Sequence, residues 1–165
     1  MKAEVGEQLV GAYLKVIEGC DFVAYNVRPP GGGLRGLEEL DVVGLRFGDS
    51  TAFLCEVTTH IRGILYKNNR TTVQRIGAKY KRQQRYAQSE LTGFRTVRFQ
   101  FWSPNVPIGY VTENLQALGP GLELVINGRY AERVTELREA AAARENDEGN
   151  DVFRLLQILT HLRHD

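Results

Sequence analysis

Two apolar segments in the middle of the chain each carry one acidic residue, and a turn separates them. Asp41 lies within Leu40–Leu45 and Glu56 lies within Ala52–Thr58, while the intervening Gly48-Asp49-Ser50 has the composition of a tight turn. The pattern predicts a β-hairpin that brings the two carboxylates onto adjacent strands. Burying two carboxylates together costs free energy unless a cation or strong hydrogen-bond donors compensate. A divalent metal site is the simplest form of compensation.

The segments around this hairpin predict an α/β protein with a mixed central sheet flanked by helices. The other expected elements are helices over about residues 3–18, 73–90, 130–145 and 151–163, and strands over residues 22–27, 96–102 and 122–126. Thr71 or Thr72 would cap the second helix, and Asn127-Gly128 would end the last strand as a turn. Alternation at period two in the strand over residues 96–102 indicates that one of its faces is buried.

Composition narrows the class of protein more than it narrows the function. With 165 residues, of which 42% are hydrophobic and 25% charged, the chain is expected to form one globular domain over residues 1–165. It has no apolar run of about 18 residues, so no transmembrane helix is expected, and its acidic N-terminus is typical of an amphipathic helix rather than of a signal peptide. Cys20 and Cys55 lie in apolar surroundings, which favours buried free thiols and a cytoplasmic location.

Charge is unevenly distributed along the chain, although the net charge is only +1. No acidic residue occurs from Val57 through Ser89, whereas the same stretch holds eight of the 21 lysines and arginines. A surface of one sign repels itself, and its usual purpose is to bind a polyanion. The alternative is a solvated basic helix without a ligand. We expect nucleic acid as the partner, with contacts from Arg28, Arg35, Lys67, Arg70, Arg75, Arg82 and Arg85.

Several short segments together resemble one nuclease superfamily. They are Val5–Val10 with Tyr13-Leu14, Asn26-Val27-Arg28, Glu39–Val43 and Leu54–Thr58. They resemble the restriction-endonuclease-like superfamily with the PD-(D/E)xK motif, and most of all its small predicted endonucleases related to Holliday-junction resolvases. The likeness covers about residues 3–90. It implies a restriction-endonuclease-like central mixed sheet with extra C-terminal helices: a motif-bearing core at about residues 3–105, then a C-terminal strand and helices at about 106–165.

The resemblance also implies an activity and roles for individual residues. The activity is metal-dependent hydrolysis of phosphodiester bonds in DNA, which in this group is often branched. Glu7, Asp41 and Glu56 match the acidic residues of the superfamily's site, and the main-chain carbonyl of Val57 would be a further ligand to Mg²⁺ or Mn²⁺. The metal would polarise the scissile phosphodiester and lower the pKa of a bound water. A homodimer is a further expectation, because a two-fold substrate presents two equivalent cuts.

The chain departs from the motif at its last position, where Thr58 replaces the lysine. That lysine orients the attacking water and stabilises negative charge on the phosphorane, and a threonine hydroxyl supplies no charge. In some members a lysine of the following helix reaches the same place. Lys79 is the preferred substitute here, Lys81 is the second candidate and Lys67 is a weaker one. The alternative is a catalytically inactive nuclease-fold module that binds nucleic acid or a protein partner.

Overall fold

The fold is described from a computed structural model that covers residues 2–30, 39–64 and 66–164. It confirms an α/β architecture with a five-stranded mixed open sheet flanked by helices. The strands follow the order of the sequence across the sheet and are β1 (Phe22–Val27), β2 (Leu40–Arg46), β3 (Thr51–Val57), β4 (Thr96–Ser103) and β5 (Leu122–Ile126). Pairing is antiparallel from β1 to β3 and parallel from β3 to β5. The helices are α1 (Val5–Val16), α2 (Asn69–Glu90), α3 (Tyr110–Gln116), α4 (Asn127–Ala143) and α5 (Asp151–Thr160).

Apolar side chains cover both faces of this sheet. Helices α1 and α4 pack on one face, around Tyr13 and Trp102, and helices α2 and α3 pack on the other, around Ile76 and Phe101. Trp102 and Phe101 are neighbours in β4, yet both are almost completely buried. The prediction of a single buried face for this strand is therefore wrong, because the crossovers of a parallel sheet place helices on both sides.

The β2–β3 hairpin has the pairing that the two acidic segments predict. Val43 lies opposite Leu54 in the antiparallel register. Two residues further along the same register, Asp41 comes opposite Glu56, so both side chains point to the same face of the sheet. That face is the one covered by α2, since Val43 and Leu54 pack with Ala87 of that helix.

The second half of the chain departs from the predicted elements in two places. Helix α3 is not among the predicted elements, although parallel strands β4 and β5 require a crossover connection. Asn127 begins α4 instead of ending β5 in a turn. Its side chain accepts a hydrogen bond from the N–H of Val106 at 2.7 Å and donates one to the carbonyl of Val106 at 3.1 Å, with a φ of 51°. A long-range side-chain contact therefore decides where α4 starts.

Two expectations from composition concern the cysteines and the hydropathy of the helices. Cys20 and Cys55 are buried and free, as predicted. Among residues 2–30, 39–64 and 66–164, no helix is long and apolar enough to cross a membrane. The cytoplasmic location stays a prediction.

Helix α2 begins at Asn69, earlier than predicted, and its cap is Asn68 rather than Thr71 or Thr72. Asn68 Oδ1 accepts a hydrogen bond from the main-chain N–H of Thr71 at 2.8 Å. Thr72 is buried, and its hydroxyl donates to the carbonyl of Asn68 at 3.0 Å. The start of this helix matters for function because its phase decides which lysine faces the acidic pair.

Replacing Asn68 by alanine is expected to lower the free energy of unfolding by about 1 kcal/mol, because the first turn of α2 loses its side-chain acceptor. The matched control is Asn69→Ala, since Asn69 is the exposed first residue of the same helix. That control should change the unfolding free energy by less than about 0.5 kcal/mol. Urea unfolding followed by circular dichroism measures both variants. Equal losses would contradict the capping assigned to Asn68.

Candidate active site

Asp41 and Glu56 lie together where β2 begins and β3 ends, beneath α2. We call this end of the interior strands the edge of the sheet. Asp41 Oδ2 accepts a hydrogen bond from the N–H of Val57 at 2.8 Å, which ties the start of β2 to the end of β3. Glu56 is only 4% exposed, and its Oε1 contacts the ammonium group of Lys79. Two carboxylates from neighbouring strands and one lysine from a helix therefore meet at one place, where Glu56 is buried and Asp41 and Lys79 are half-buried.

Burial works against the charged form of two groups in this cluster. Desolvation raises the pKa of Asp41, although the N–H of Val57 and the positive charges of Lys79 and Arg82 oppose the change. Desolvation also lowers the pKa of Lys79, while the charge of Asp41 raises it. Charged groups held in a buried place at a solvation cost add little to stability and are frequent in functional sites.

Glu7 approaches this edge of the sheet from the first turn of α1. Gly6 makes the approach possible, because a Cβ at this position would lie 2.2 Å from Cγ2 of Thr59, two residues after the end of β3. Glu7 Oε2 accepts hydrogen bonds from the main-chain N–H of Glu4 at 2.9 Å and from Nδ2 of Asn26 at 3.3 Å. The Glu7 carboxylate therefore helps to cap α1, and it lies near enough to Asp41 for the two charges to interact.

The carboxylate oxygens of Glu7, Asp41 and Glu56 suit a hard cation such as Mg²⁺ only in part. Burial raises the pKa of Glu7, and the charge of Asp41 raises it further, so these carboxylates are electrostatically coupled. Within the described residues, however, no three His, Cys, Asp or Glu side chains gather closely enough to hold a metal ion among them. Asp41 and Glu56 would share a metal with main-chain, water or substrate oxygens, which is the coordination that Mg²⁺ prefers.

Of the lysines considered as substitutes for the motif lysine, Lys79 is the one that contacts the acidic pair in the described part of the chain. Lys81 is exposed on another side of α2, and Lys67 is exposed just before the helix. Thr58 is buried, and its N–H donates to the carbonyl of Trp102 at 2.9 Å, so it extends the pairing of β3 with β4. Helix phase thus turns Lys79 towards Glu56 and leaves Lys81 in solvent.

Asn26 belongs to this site although no role is predicted for it from the sequence beyond its place in the segment Asn26-Val27-Arg28 of the resemblance. It lies in β1 with a φ of 51°, a conformation that asparagine adopts more readily than most residues. This conformation accompanies the contact of its amide with Glu7 Oε2. The signal in the sequence is slight: one polar amide in the otherwise apolar strand Phe22–Val27.

Four of the predicted nucleic-acid contacts are exposed along α2 or just before it. They are Lys67, Arg70, Arg75 and Arg85. The guanidinium group of Arg75 stacks over the ring of Tyr66, 4.6 Å from its centroid, and keeps its charge at the surface. The exposed side of α2 therefore presents positive charge next to the edge that carries Asp41 and Glu56.

Two further predicted contacts have partners within the protein. Arg82 is half-buried, and its Nη1 donates to the main-chain carbonyl of Glu39 at 3.4 Å. Arg28 forms an ion pair with the carboxylate of Glu39 at 2.6 Å, which partly neutralises its charge. Arg35 lies outside the described residues. Arg82 also lines a small hollow together with Pro29, Arg85, Tyr86 and Ser89.

Comparisons with known proteins do not assign this site. No protein-family model matches the chain, and searches of curated proteins and of solved structures find no significant similarity. The likeness to the restriction-endonuclease-like superfamily therefore stays a prediction from the residues that carry it.

Replacing Asp41 by asparagine is expected to raise the free energy of unfolding near neutral pH in metal-free buffer. Burial raises the pKa of Asp41 in the folded state, so stability falls as the pH rises through the folded-state value. Asparagine keeps an acceptor for the N–H of Val57 without the charge. The gain in unfolding free energy should shrink as the pH falls towards about 4, the ordinary pKa of an aspartate side chain. Urea unfolding at several pH values measures it.

Asp49 provides a control of opposite sign for this prediction. A hydrogen bond from Arg46 lowers the pKa of Asp49 to about 2, so its charged form is favoured in the folded chain. Asp49→Asn should therefore lower the free energy of unfolding near neutral pH. A loss of stability in Asp41→Asn as well would contradict the solvation cost assigned to Asp41.

Proposed function

We propose that this chain is a metal-dependent DNA endonuclease of the restriction-endonuclease-like type. The observation that carries the proposal is the meeting of Asp41, Glu56 and Lys79 at one edge of a mixed sheet. One acid comes from each strand of the hairpin, and the lysine comes from the next helix. This arrangement agrees with the resemblance, including the variant in which a helical lysine replaces the lysine of the motif.

In the proposed reaction, Asp41 and Glu56 would hold Mg²⁺ or Mn²⁺ together with the carbonyl of Val57 and with water or substrate oxygens. Glu7 would become a further ligand only after its carboxylate moved closer to this pair, because no three such side chains gather among the described residues. When bound, the metal supplies Lewis acidity to the phosphodiester and a water of lowered pKa. Lys79 supplies the positive charge that stabilises the phosphorane and orients the water. Thr58 contributes at most a hydrogen bond from its hydroxyl. Hydrolysis breaks one P–O ester bond and leaves a phosphate and a hydroxyl end.

The basic side of α2 supports DNA as the substrate. Val57 through Ser89 contain no acidic residue, and the exposed cations there lie beside the proposed catalytic residues. Each phosphate contact from such a surface releases counterions and adds affinity that depends on salt. The symmetric homodimer and the preference for branched DNA are parts of the same proposal that rest on the resemblance alone.

The contact between Lys79 and Glu56 also favours a second candidate function. The ammonium group engages one oxygen of Glu56 and balances its charge without any metal. If that ion pair persists, and Thr58 cannot replace the motif lysine, the protein is a catalytically inactive nuclease-fold module. It would then bind nucleic acid or a protein partner through the basic surface.

Cleavage of supercoiled, linear and branched DNA with Mg²⁺ or Mn²⁺ tests the two functions. The wild type is expected to cleave, and Asp41→Ala is expected to be inactive because the metal loses a ligand. Lys79→Ala should be slower by about 10²–10³-fold, the typical loss of one preorganised charge donor. Lys81→Ala is the matched control and should keep the wild-type rate, since its side chain is exposed.

The other outcomes of this assay are informative in different ways. Equal cleavage by wild type and Asp41→Ala would indicate a contaminating nuclease and would remove the support for the endonuclease. DNA binding by all variants with cleavage by none would favour the inactive module. Activity lost in Lys81→Ala and retained in Lys79→Ala would show that the assigned lysine is wrong.

The salt dependence of DNA binding tests the basic surface independently of cleavage. Arg85→Ala is expected to reduce the slope of log K against log salt concentration by about 1, since one phosphate contact is lost. Arg138→Ala is the matched control, because Arg138 is exposed on α4, which packs on the other face of the sheet. Fluorescence anisotropy in EDTA over a salt series measures both slopes. An unchanged slope in Arg85→Ala would contradict a phosphate contact at this residue.

A further inference from the structure

Two isoleucines are the most exposed large apolar side chains in the described part of the chain. Ile108 is 90% exposed and Ile61 is 79% exposed. They lie on the loops that leave the ends of β3 and β4, which are neighbouring parallel strands paired through Glu56 and Phe101. Single exposed isoleucines are ordinary. Two of them on adjoining loops, at the edge that carries the acidic pair, form a distinct surface feature.

The two loops are bonded to each other. Asn105 Nδ2 donates a hydrogen bond to the carbonyl of Ile61 at 2.7 Å. Gly63 donates its N–H to the carbonyl of His60 at 3.1 Å and closes a turn with Ile61 near its tip. Its φ of 99° favours glycine, and a Cβ there would lie 3.5 Å from the carbonyl oxygen of Asn105. The two loops therefore adjoin, and each carries one exposed isoleucine.

The second loop is also anchored to the body of the protein. The side chain of Asn127 bonds both the N–H and the carbonyl of Val106. On the other side of Ile108, the N–H of Gly109 donates to Oγ1 of Thr112 at 3.0 Å, at the start of α3. An apolar side chain held on an ordered loop loses little conformational freedom when it binds a partner.

The charges around these loops point to a polyanion. Neither residues 57–68 nor residues 104–109 include an acidic residue, and Arg62 directly follows Ile61. Tyr110, which is half exposed, lines an open hollow with Asn68, Asn69 and Arg70 at the start of α2. Exposed apolar, aromatic and cationic groups thus lie on these loops and at the neighbouring start of α2, a combination that suits bases flanked by phosphates.

We propose that Ile61 and Ile108 form an apolar wedge that packs against unstacked bases of a distorted DNA duplex, while the neighbouring arginines hold the flanking phosphates. The inference rests on the proposed endonuclease function and narrows its substrate to DNA with an unpaired or unstacked step. Inserting an apolar side chain requires unstacking, and the cost is lowest where bases are already unpaired. The wedge therefore gives the protein a preference for a duplex with an unpaired bulge over a perfect duplex.

Binding measured without cleavage tests the wedge. The wild type and the Ile61→Ser/Ile108→Ser double variant are titrated in EDTA with a perfect duplex and with the same duplex carrying an unpaired bulge, labelled with 2-aminopurine at that step. The wild type should bind the bulged duplex about tenfold more tightly and increase the 2-aminopurine fluorescence. The double variant should lose the preference and the fluorescence change while keeping its affinity for the perfect duplex.

Leu159→Ser is the matched control, since Leu159 is 57% exposed on α5 and far along the chain from both loops. It should retain the preference of the wild type. All substituted positions are exposed, and thermal unfolding checks that the variants stay folded. The single variants Ile61→Ser and Ile108→Ser provide a second test, since each is expected to lose part of the preference for the bulged duplex.

The outcomes separate this inference from the function on which it rests. A wild type without preference, or a double variant that keeps it, overturns the wedge. Metal-dependent cleavage that requires Asp41 would then still support the endonuclease. A wild type that binds neither DNA overturns the wedge together with the proposed DNA-binding function.

Discussion

Antiparallel pairing of β2 with β3 sets the geometry on which the candidate site depends. Continued by one residue beyond the pair Val42 and Cys55, the register places Asp41 opposite Glu56, and a slip of one residue would turn one carboxylate towards the other face of the sheet. The hydrogen bond from the N–H of Val57 to Asp41 Oδ2 holds this register at the end of the hairpin. Because apolar residues occupy the rest of the same face, the register that buries the core is also the one that brings the two acids together.

Helix α2 contributes two opposite surfaces to this edge of the sheet. Its inner side carries Lys79 to Glu56, and Gln83 one turn later donates to the carbonyl of Leu54 at 3.1 Å, which holds the helix against β3. Its outer side carries exposed cations such as Arg85. One element thereby joins the proposed catalytic charge to the proposed DNA-binding surface, and the proposed wedge at the ends of β3 and β4 extends that surface.

Local patterns predicted the strands better than the starts of the helices. β1 and β5 have the predicted bounds because apolar runs bounded by turn residues are visible in a short stretch of sequence. The starts of α2 and α4 were missed because asparagine caps and bridges act through particular contacts: Asn68 with Thr71, and Asn127 with the distant Val106. The burial of both faces of β4 likewise follows from helices that come from other parts of the chain.

By itself the sequence determined the hairpin, the shared face of Asp41 and Glu56, and the stretch without acidic residues, because strand periodicity and residue composition are local properties. Only the tertiary structure decided that Lys79 rather than Lys81 contacts Glu56, and that Asn26 meets Glu7. It also decided that the loops of Ile61 and Ile108 adjoin. These contacts depend on the phase of a helix, on an uncommon backbone conformation and on hydrogen bonds between loops, none of which a linear pattern of residue types specifies.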